Sequence, residues 1–228
     1  MKIYLSTTQF IQIEDLLDDS DILIAYPYIR KGGLNLDKYL PRFRNFILDS
    51  GVFTMINSGK RFDLNSYADE YADYVKEKKI KQYVELDVDQ IIGVEKTRAL
   101  RDRIEKRVGW QSIPVWHTVR GKESFIQDCK DYKYIALGYF LTEGLPSSLT
   151  KKYAKAFIDT AHSYGCRVHG LGFTKTKELH NIPFDSVDSS NWVASRRFGI
   201  LYKFDPSQRI MRQYHPNDRR MIRCVMSL

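Results

Sequence analysis

The feature that most constrains this chain is an alternation. Short apolar runs at residues 2–5, 22–26, 46–48, 82–86, 113–116, 134–137, 167–169 and 184–187 are separated by helix-like stretches. The runs carry no helical period, which suits strands buried on both faces. Between them, helices are expected at 10–17, from Asn65-Ser66 onward with Tyr67, Tyr71, Tyr74 and Val75 on one face, and at 94–108, 122–132, 149–164 and 175–180. Residues 35–44 read as a loop or short helix, and Gly165 suits a left-handed cap after the helix at 149–164. Strand-helix alternation implies a parallel sheet covered by helices. Eight strands in 228 residues fit a compact (β/α)8 TIM barrel, taken here as residues 1–205, with a short basic C-terminal extension at 206–228 packed on it. An open doubly wound sheet is the alternative, but its Gly-x-Gly-x-x-Gly phosphate loop is missing after the first strand.

Most of the runs that follow the second end in chemistry. The strand at 46–48 stops at Asp49-Ser50-Gly51, that at 82–86 at Asp87, and that at 113–116 at His117. The next three stop at Gly138, at His169-Gly170-Leu171-Gly172 and at Asp188. A single acid there can be a loop cap. Several acids at the carboxyl ends of barrel strands converge where active sites of this fold lie. Three such carboxylates repel unless hydrogen bonds or separated pKa values accommodate them, an arrangement that sets a nucleophile apart from a proton carrier. Clustered carboxylates also suit Mg²⁺, and His117, His169, Asp49 and Asp188 could ligate zinc or iron. A lone histidine in an apolar strand more often serves structure, so the reading adopted is metal-free. What remains is nucleophilic carboxylate chemistry at a sugar carbon with a second carboxyl as acid and base. The glycines at 138, 170 and 172 would let backbone approach a flat ligand, with N–H groups toward a purine edge.

Charge narrows the partner. The net charge is +8, with hydrophobic residues at 43% and charged residues at 28%, ordinary values for a globular chain apart from the basic excess. From residue 196 onward Arg196, Arg197, Lys203, Arg209, Arg212, Arg219, Arg220 and Arg223 face only Asp205 and Asp218, a surplus of six that hints at nucleic acid. Cys129, Cys166 and Cys224 form no Cys-x-x-Cys pair, which argues against a disulfide framework or zinc knuckle and fits a reducing cytoplasm. No apolar run has the length of a signal-peptide core or a membrane span.

These residues resemble a known family. Asp49-Ser50-Gly51-Val52-Phe53 is similar to the Asp-Ser-Gly-Gly-Phe motif of tRNA-guanine transglycosylases, and closer to the Asp-Ser-Gly-Ala-Phe form of their short phage and bacterial relatives. Leu86-Asp87-Val88, Pro114-Val115-Trp116-His117, Leu137-Gly138, His169-Gly170-Leu171-Gly172 and Ser186-Val187-Asp188-Ser189 with Trp192 follow in the order of those relatives, over residues 46–199. The resemblance implies a TIM barrel that exchanges guanine in a polynucleotide, tRNA or DNA, for a free 7-deazaguanine. It also implies that Asp188 is the nucleophile and Asp49 the general acid/base. Asp87, or Asp89 two residues on, would read the base, with Ser50, His117, Gly138, His169, Gly170 and Gly172 lining the substrate. The Cys-x-Cys-x-x-Cys and His zinc site and the Gln-Gly-Gly element of the tRNA enzymes are absent, and Trp116-His117 stands near the place of the latter. Displacing guanine needs a nucleophile below the sugar and a proton source at the base, and no metal or redox cofactor. The target base must leave its stack, and the C-terminal arginines would grip phosphates. Two alternatives stay open: metal-dependent phosphodiester hydrolysis by the same acids, and a catalytically inactive nucleic-acid-binding barrel.

Overall fold

A computed structural model describes residues 1–6, 18–30, 35–57, 62–138, 147–173, 179, 181–190, 199, 201–208 and 210–215. The elements run β1 (Lys2–Ser6), β2 (Asp21–Ala25), α1 (Tyr26–Arg30), α2 (Leu36–Tyr39), β3 (Asn45–Asp49), α3 (Val52–Asn57), α4 (Leu64–Glu77), α5 (Asp89–Ile92) and α6 (Val94–Val108). They continue with β4 (Val115–Trp116), α7 (Gly121–Asp131), β5 (Tyr134–Leu137), α8 (Ser147–Ser163), β6 (Arg167–Gly170), β7 (Ser186–Ser189), β8 (Leu201–Asp205) and β9 (Ile210–Tyr214). The helices expected at 10–17 and 175–180 lie outside the described residues, apart from Leu179. The boundary drawn at residue 205 falls on the last residue of β8, which pairs with β9 in an antiparallel hairpin.

The eight-stranded closed barrel is overturned. The main sheet has seven parallel strands in the order β3-β2-β1-β7-β6-β5-β4, curled into a half-barrel and open between β3 and β4. The run at 82–86 forms no strand of its own and contributes only isolated bridges, Leu48 to Tyr83 and Val84 to Ile113. The reason is local. Pro114 has no N–H to give, and the Val115 amide, which a ladder would pair with a carbonyl, donates instead to Glu85 Oε1 at 2.5 Å. The run at 82–86 is therefore held by two backbone bonds on each side. Toward β3 these are Leu48 N to Gln82 O at 3.0 Å and Val84 N to Leu48 O at 2.8 Å, and toward Ile113 they are Ile113 N to Tyr83 O at 2.7 Å and Glu85 N to Ile113 O at 3.1 Å.

Alternation along the strands sorts the core into layers. Tyr4, Leu23, Ile47, Val84, Ile113, Val115, Tyr134 and Ala136 fill one side of the curled sheet. Their neighbours in sequence point outward beneath the helices: Ile22, Ile24 and Leu48 pack against α4 and α6, and Trp116, Ile135, Leu137, Val168 and Val187 against α7 and α8. Helix α4 is capped by Asp63, whose carboxylate accepts the Ser66 N–H at 2.8 Å, and starts at Leu64, one residue before the start expected from the sequence. It buries Tyr67, Ala68, Tyr71, Ala72 and Val75. Two of its hydroxyls reach the seam: Tyr71 donates to Leu48 O and Val84 O at 3.0 and 2.9 Å, and Tyr67 to Ser50 O at 2.6 Å. These bonds brace the end of β3, and with it Asp49, on the side away from β2, whose ladder pairs Ala25 with Asp49. Gly165, after α8, takes φ +69° as expected of a left-handed cap.

Candidate active site

Asp49 closes β3 at the carboxyl edge of the sheet, half-buried. Burial pushes its carboxyl up to about 7. The Gly51 and Ser50 amides, which bond the carboxylate, oppose that shift, while the charges of Asp188 and Asp87 add to it. Two acids separated from Asp49 by dozens of residues in sequence thus act on it at one end of the fold. The turn after Asp49 requires glycine. Gly51 sits at φ +62°, and a Cβ there would lie 2.3 Å from Pro27 Cδ.

Asp188 lies in the last strand of the parallel sheet, one residue inside β7 rather than beyond a strand at 184–187, and is buried. Its Oδ1 accepts the Gly172 N–H at 2.5 Å and faces His169 Nε2 at 3.3 Å. Gly172 takes φ +65°, a conformation that aims its amide at the acid. Behind His169 stand Ser186 and Tyr134: Ser186 Oγ is 2.6 Å from His169 Nδ1 and is hydrogen-bonded to the Tyr134 hydroxyl. Tyr4 meets the imidazole edge-on, with ring centroids 5.9 Å apart. Tyr134 and Ser186 were not singled out from the sequence. The strand period could have found Ser186, which lies two residues before Asp188 and hence on the same face.

Asp87 receives His117 Nε2 on both carboxylate oxygens, at 2.8 and 2.9 Å. Burial disfavours the imidazolium, but the hydrogen bond and charge of Asp87 more than offset it, so the His117 pKa is raised. The ring lies directly over Gly138, where a Cβ would fall 2.1 Å from His117 Cε1. Gly138 therefore makes room for the histidine. Its N–H goes to Trp116 O at 3.1 Å and the Gly172 N–H goes to Asp188, so neither faces a purine edge as expected. Gly170 backs onto Phe184, whose ring a Cβ would approach to 3.0 Å. Ser50 is buried, its carbonyl bonded to Tyr67 and its amide to Asp49.

Asp89 does not join this group. It is buried and clamped by Arg120, Nε to Oδ2 at 2.5 Å and Nη2 to Oδ1 at 3.0 Å. Arg120 Nη2 also lies 2.8 Å from a Glu85 oxygen, and Arg101 lies 3.4 Å from Asp128 and 3.8 Å from Glu85. Of the C-terminal arginines only Arg212 belongs to the described residues. It pairs with Asp205 at 2.8 Å and with Gln208 at 2.9 Å across the β8-β9 turn. Arg196, Arg197, Arg209, Arg219, Arg220, Arg223 and Trp192 lie outside them.

Among the described residues, no three His, Cys, Asp or Glu side chains are grouped to hold a metal ion, and no helix is long and apolar enough to cross a membrane. What the mouth does offer is a half-buried carboxyl poised to carry a proton near neutrality, a second carboxylate anchored through one oxygen, and a His-Asp pair beside them. No protein-family model matches this chain, and neither does any curated protein sequence.

Proposed function

We propose that this chain is a base-exchanging transglycosylase that replaces guanine in a polynucleotide, DNA or tRNA, with a free 7-deazaguanine. The observation that carries the reading is the pairing of Asp49 and Asp188 at one edge of the sheet. Asp49 is pushed up to about 7, partly by the charge of Asp188, so the two acids are suited to different roles. Asp188 attacks C1′ of the target nucleotide. The C1′–N9 bond breaks, its electron pair stays with guanine, and Asp49 supplies the proton that neutralises the departing base. The incoming base loses its N9 proton to Asp49 and attacks C1′, and the Asp188 ester bond breaks. Two inversions retain the configuration.

The His117-Asp87 pair stands where the base would lie, with Asp87 accepting from the imidazole and from the N–H edge of the base. Asp89, fixed by Arg120, is a scaffold residue in this reading. The target nucleotide reaches the acids out of its stack, with phosphates held by the basic C-terminal segment.

The test is exchange of labelled guanine into tRNA and into duplex DNA, with trapping of a covalent polynucleotide adduct. We expect label in one polymer, and loss of both label and adduct in Asp188→Asn with the thermal transition retained. An Asp188→Asn protein that still forms the adduct would move the nucleophile elsewhere. Label in neither polymer would remove the reading.

A further inference from the structure

The hydrogen-bond chain behind Asp188 has a direction, and the direction assigns a role. Among the described residues the Tyr134 oxygen meets only Ser186 Oγ and, at 3.5 Å, His169 Nδ1. Its proton therefore points toward that pair. If Tyr134 donates to Ser186, the serine hydroxyl donates onward to His169 Nδ1 at 2.6 Å. An imidazole that accepts at Nδ1 keeps its hydrogen on Nε2, the nitrogen that faces Asp188 Oδ1 at 3.3 Å. A doubly protonated ring would reverse Ser186 and leave two hydroxyl protons competing for the space between Ser186 and Tyr134.

The chain is also closed to water. His169 is 1% exposed and Ser186 2%, and the Tyr4 ring covers the imidazole edge. Among the described residues, the bonds to Asp188, from His169 and from the Gly172 amide, fall on Oδ1. An anchored Oδ1 leaves Oδ2 to reach a substrate. The residues belong together by register as well: His169 lies opposite Ser186 across the β6-β7 ladder, with Asp188 two residues further along the same face.

We infer that His169, held as the neutral Nε2-H tautomer by Ser186 and Tyr134, is a positioning residue that fixes Asp188 through Oδ1 and makes Oδ2 the attacking oxygen. The role in attack rests on the transglycosylase reading, whereas the tautomer and the hold on the carboxylate do not. His169 touches no reacting atom. It acts by keeping the nucleophile aimed, as a second partner does for a catalytic or metal-binding group.

The experiment therefore has two arms on the intact chain. In the first, without substrate, nitrogen-15 NMR reads the His169 tautomer and carbon-13 NMR titrates the Asp188 carboxyl. Wild type should show Nε2-H. His169→Phe should shift the Asp188 carboxyl resonance, because the carboxyl loses the donor that faces its Oδ1. His169→Gln, which keeps a donor at the corresponding place, should restore most of the shift. In the second arm, single-turnover adduct formation with polynucleotide should slow about tenfold in His169→Phe and recover in His169→Gln, with KM little changed.

Should His169→Phe fail to fold, Ser186→Ala and Tyr134→Phe keep the imidazole and should shift the tautomer population and slow the reaction in the same direction. A wild-type ring protonated on Nδ1, or an Asp188 titration indifferent to these variants, overturns the inference. A wild type that makes no adduct with any polynucleotide removes the reaction reading and the role in attack, while the titration still decides the hold on Asp188. An active wild type whose variants titrate and react identically overturns the inference alone.

Discussion

Glu85, Asp87 and Asp89 stand at alternate positions of this chain, yet they fall into two groups of acids with opposite fates. Glu85 and Asp89, with Asp128 from α7, are buried against Arg101 and Arg120. Asp87, between them in sequence, turns to His117 and to a mouth it shares with Asp49 and Asp188. The first group has three carboxylates against two guanidiniums, one negative charge in excess. Burial accordingly pushes Glu85 up to about 7 against the pull of both arginines, and raises Asp128 as well. Among the described residues, the second group has no arginine among its bonded partners. Backbone amides, two histidines and repulsion among the acids set its charges. Acids balanced by buried cations hold elements together, and acids left facing one another are available for chemistry.

That comparison is easiest to break at its structural side. Arg120 ties the turn after β4 to Glu85 and Asp89, its side chain wholly buried. Arg120→Met should cost about 3–5 kcal/mol of unfolding free energy in denaturant melts, because it leaves buried carboxylates without their partner. Asp87→Asn, in the other group, should cost less than about 1 kcal/mol. Equal costs would erase the distinction between scaffold and site.

Gly138→Ala probes the mouth directly. Its Cβ would fall 2.1 Å from the His117 ring, so the imidazole has to leave Asp87 or the backbone has to shift. We expect a loss of about 1–3 kcal/mol together with a fall in the His117 pKa on NMR titration, since the ring loses the carboxylate that raises it. A His117 that titrates as before would show that the ring is held by something other than its seat on Gly138.

A smaller effect, but a sharper one, belongs to Asp49. Its folded pKa, about 7, stands above the ordinary 3.8, so the fold favours the protonated acid and its ionisation costs stability. The cost is complete above about pH 7, shrinks as pH falls toward 3.8, and is absent below it. The full shift converts to about 4 kcal/mol, and screening by water at a half-buried carboxyl cuts this to about half. Asp49→Asn should therefore stabilise by about 2 kcal/mol at pH 8, some 4–8 °C in melting temperature, and by nothing at pH 3.5. A gain that is the same at both pH values would mean the shift does not come from the neighbouring acids and burial.

The smallest effect is expected at the surface. Arg212 is exposed and paired with Asp205 inside its own hairpin. Arg212→Ala should change stability by less than about 0.5 kcal/mol and the salt dependence of polynucleotide binding by less than one phosphate contact. Replacing Arg219, Arg220 and Arg223 together should flatten that dependence by up to roughly three contacts. An unchanged slope in the triple variant would place the polymer elsewhere.

Much of this molecule was legible in the chain itself. The alternation of apolar runs and amphipathic stretches determined a parallel sheet under helices, because a run buried on both faces has no other stable partner. The residues that end the runs determined Asp49, Asp87, His117 and Asp188 as candidates, because a strand delivers its last side chains to one edge. The tertiary structure alone decided three matters. Pro114 and the Glu85 carboxylate left the run at 82–86 with isolated bridges, so the sheet stays open with seven strands, a result that depends on where one amide proton goes. Arg120, some thirty residues away, withdrew Asp89 from the site, and only three-dimensional charge pairing could separate it from Asp87. The glycines read as ligand contacts instead seat His117, back Phe184 and anchor Asp188, because a missing Cβ marks a close approach without saying what approaches.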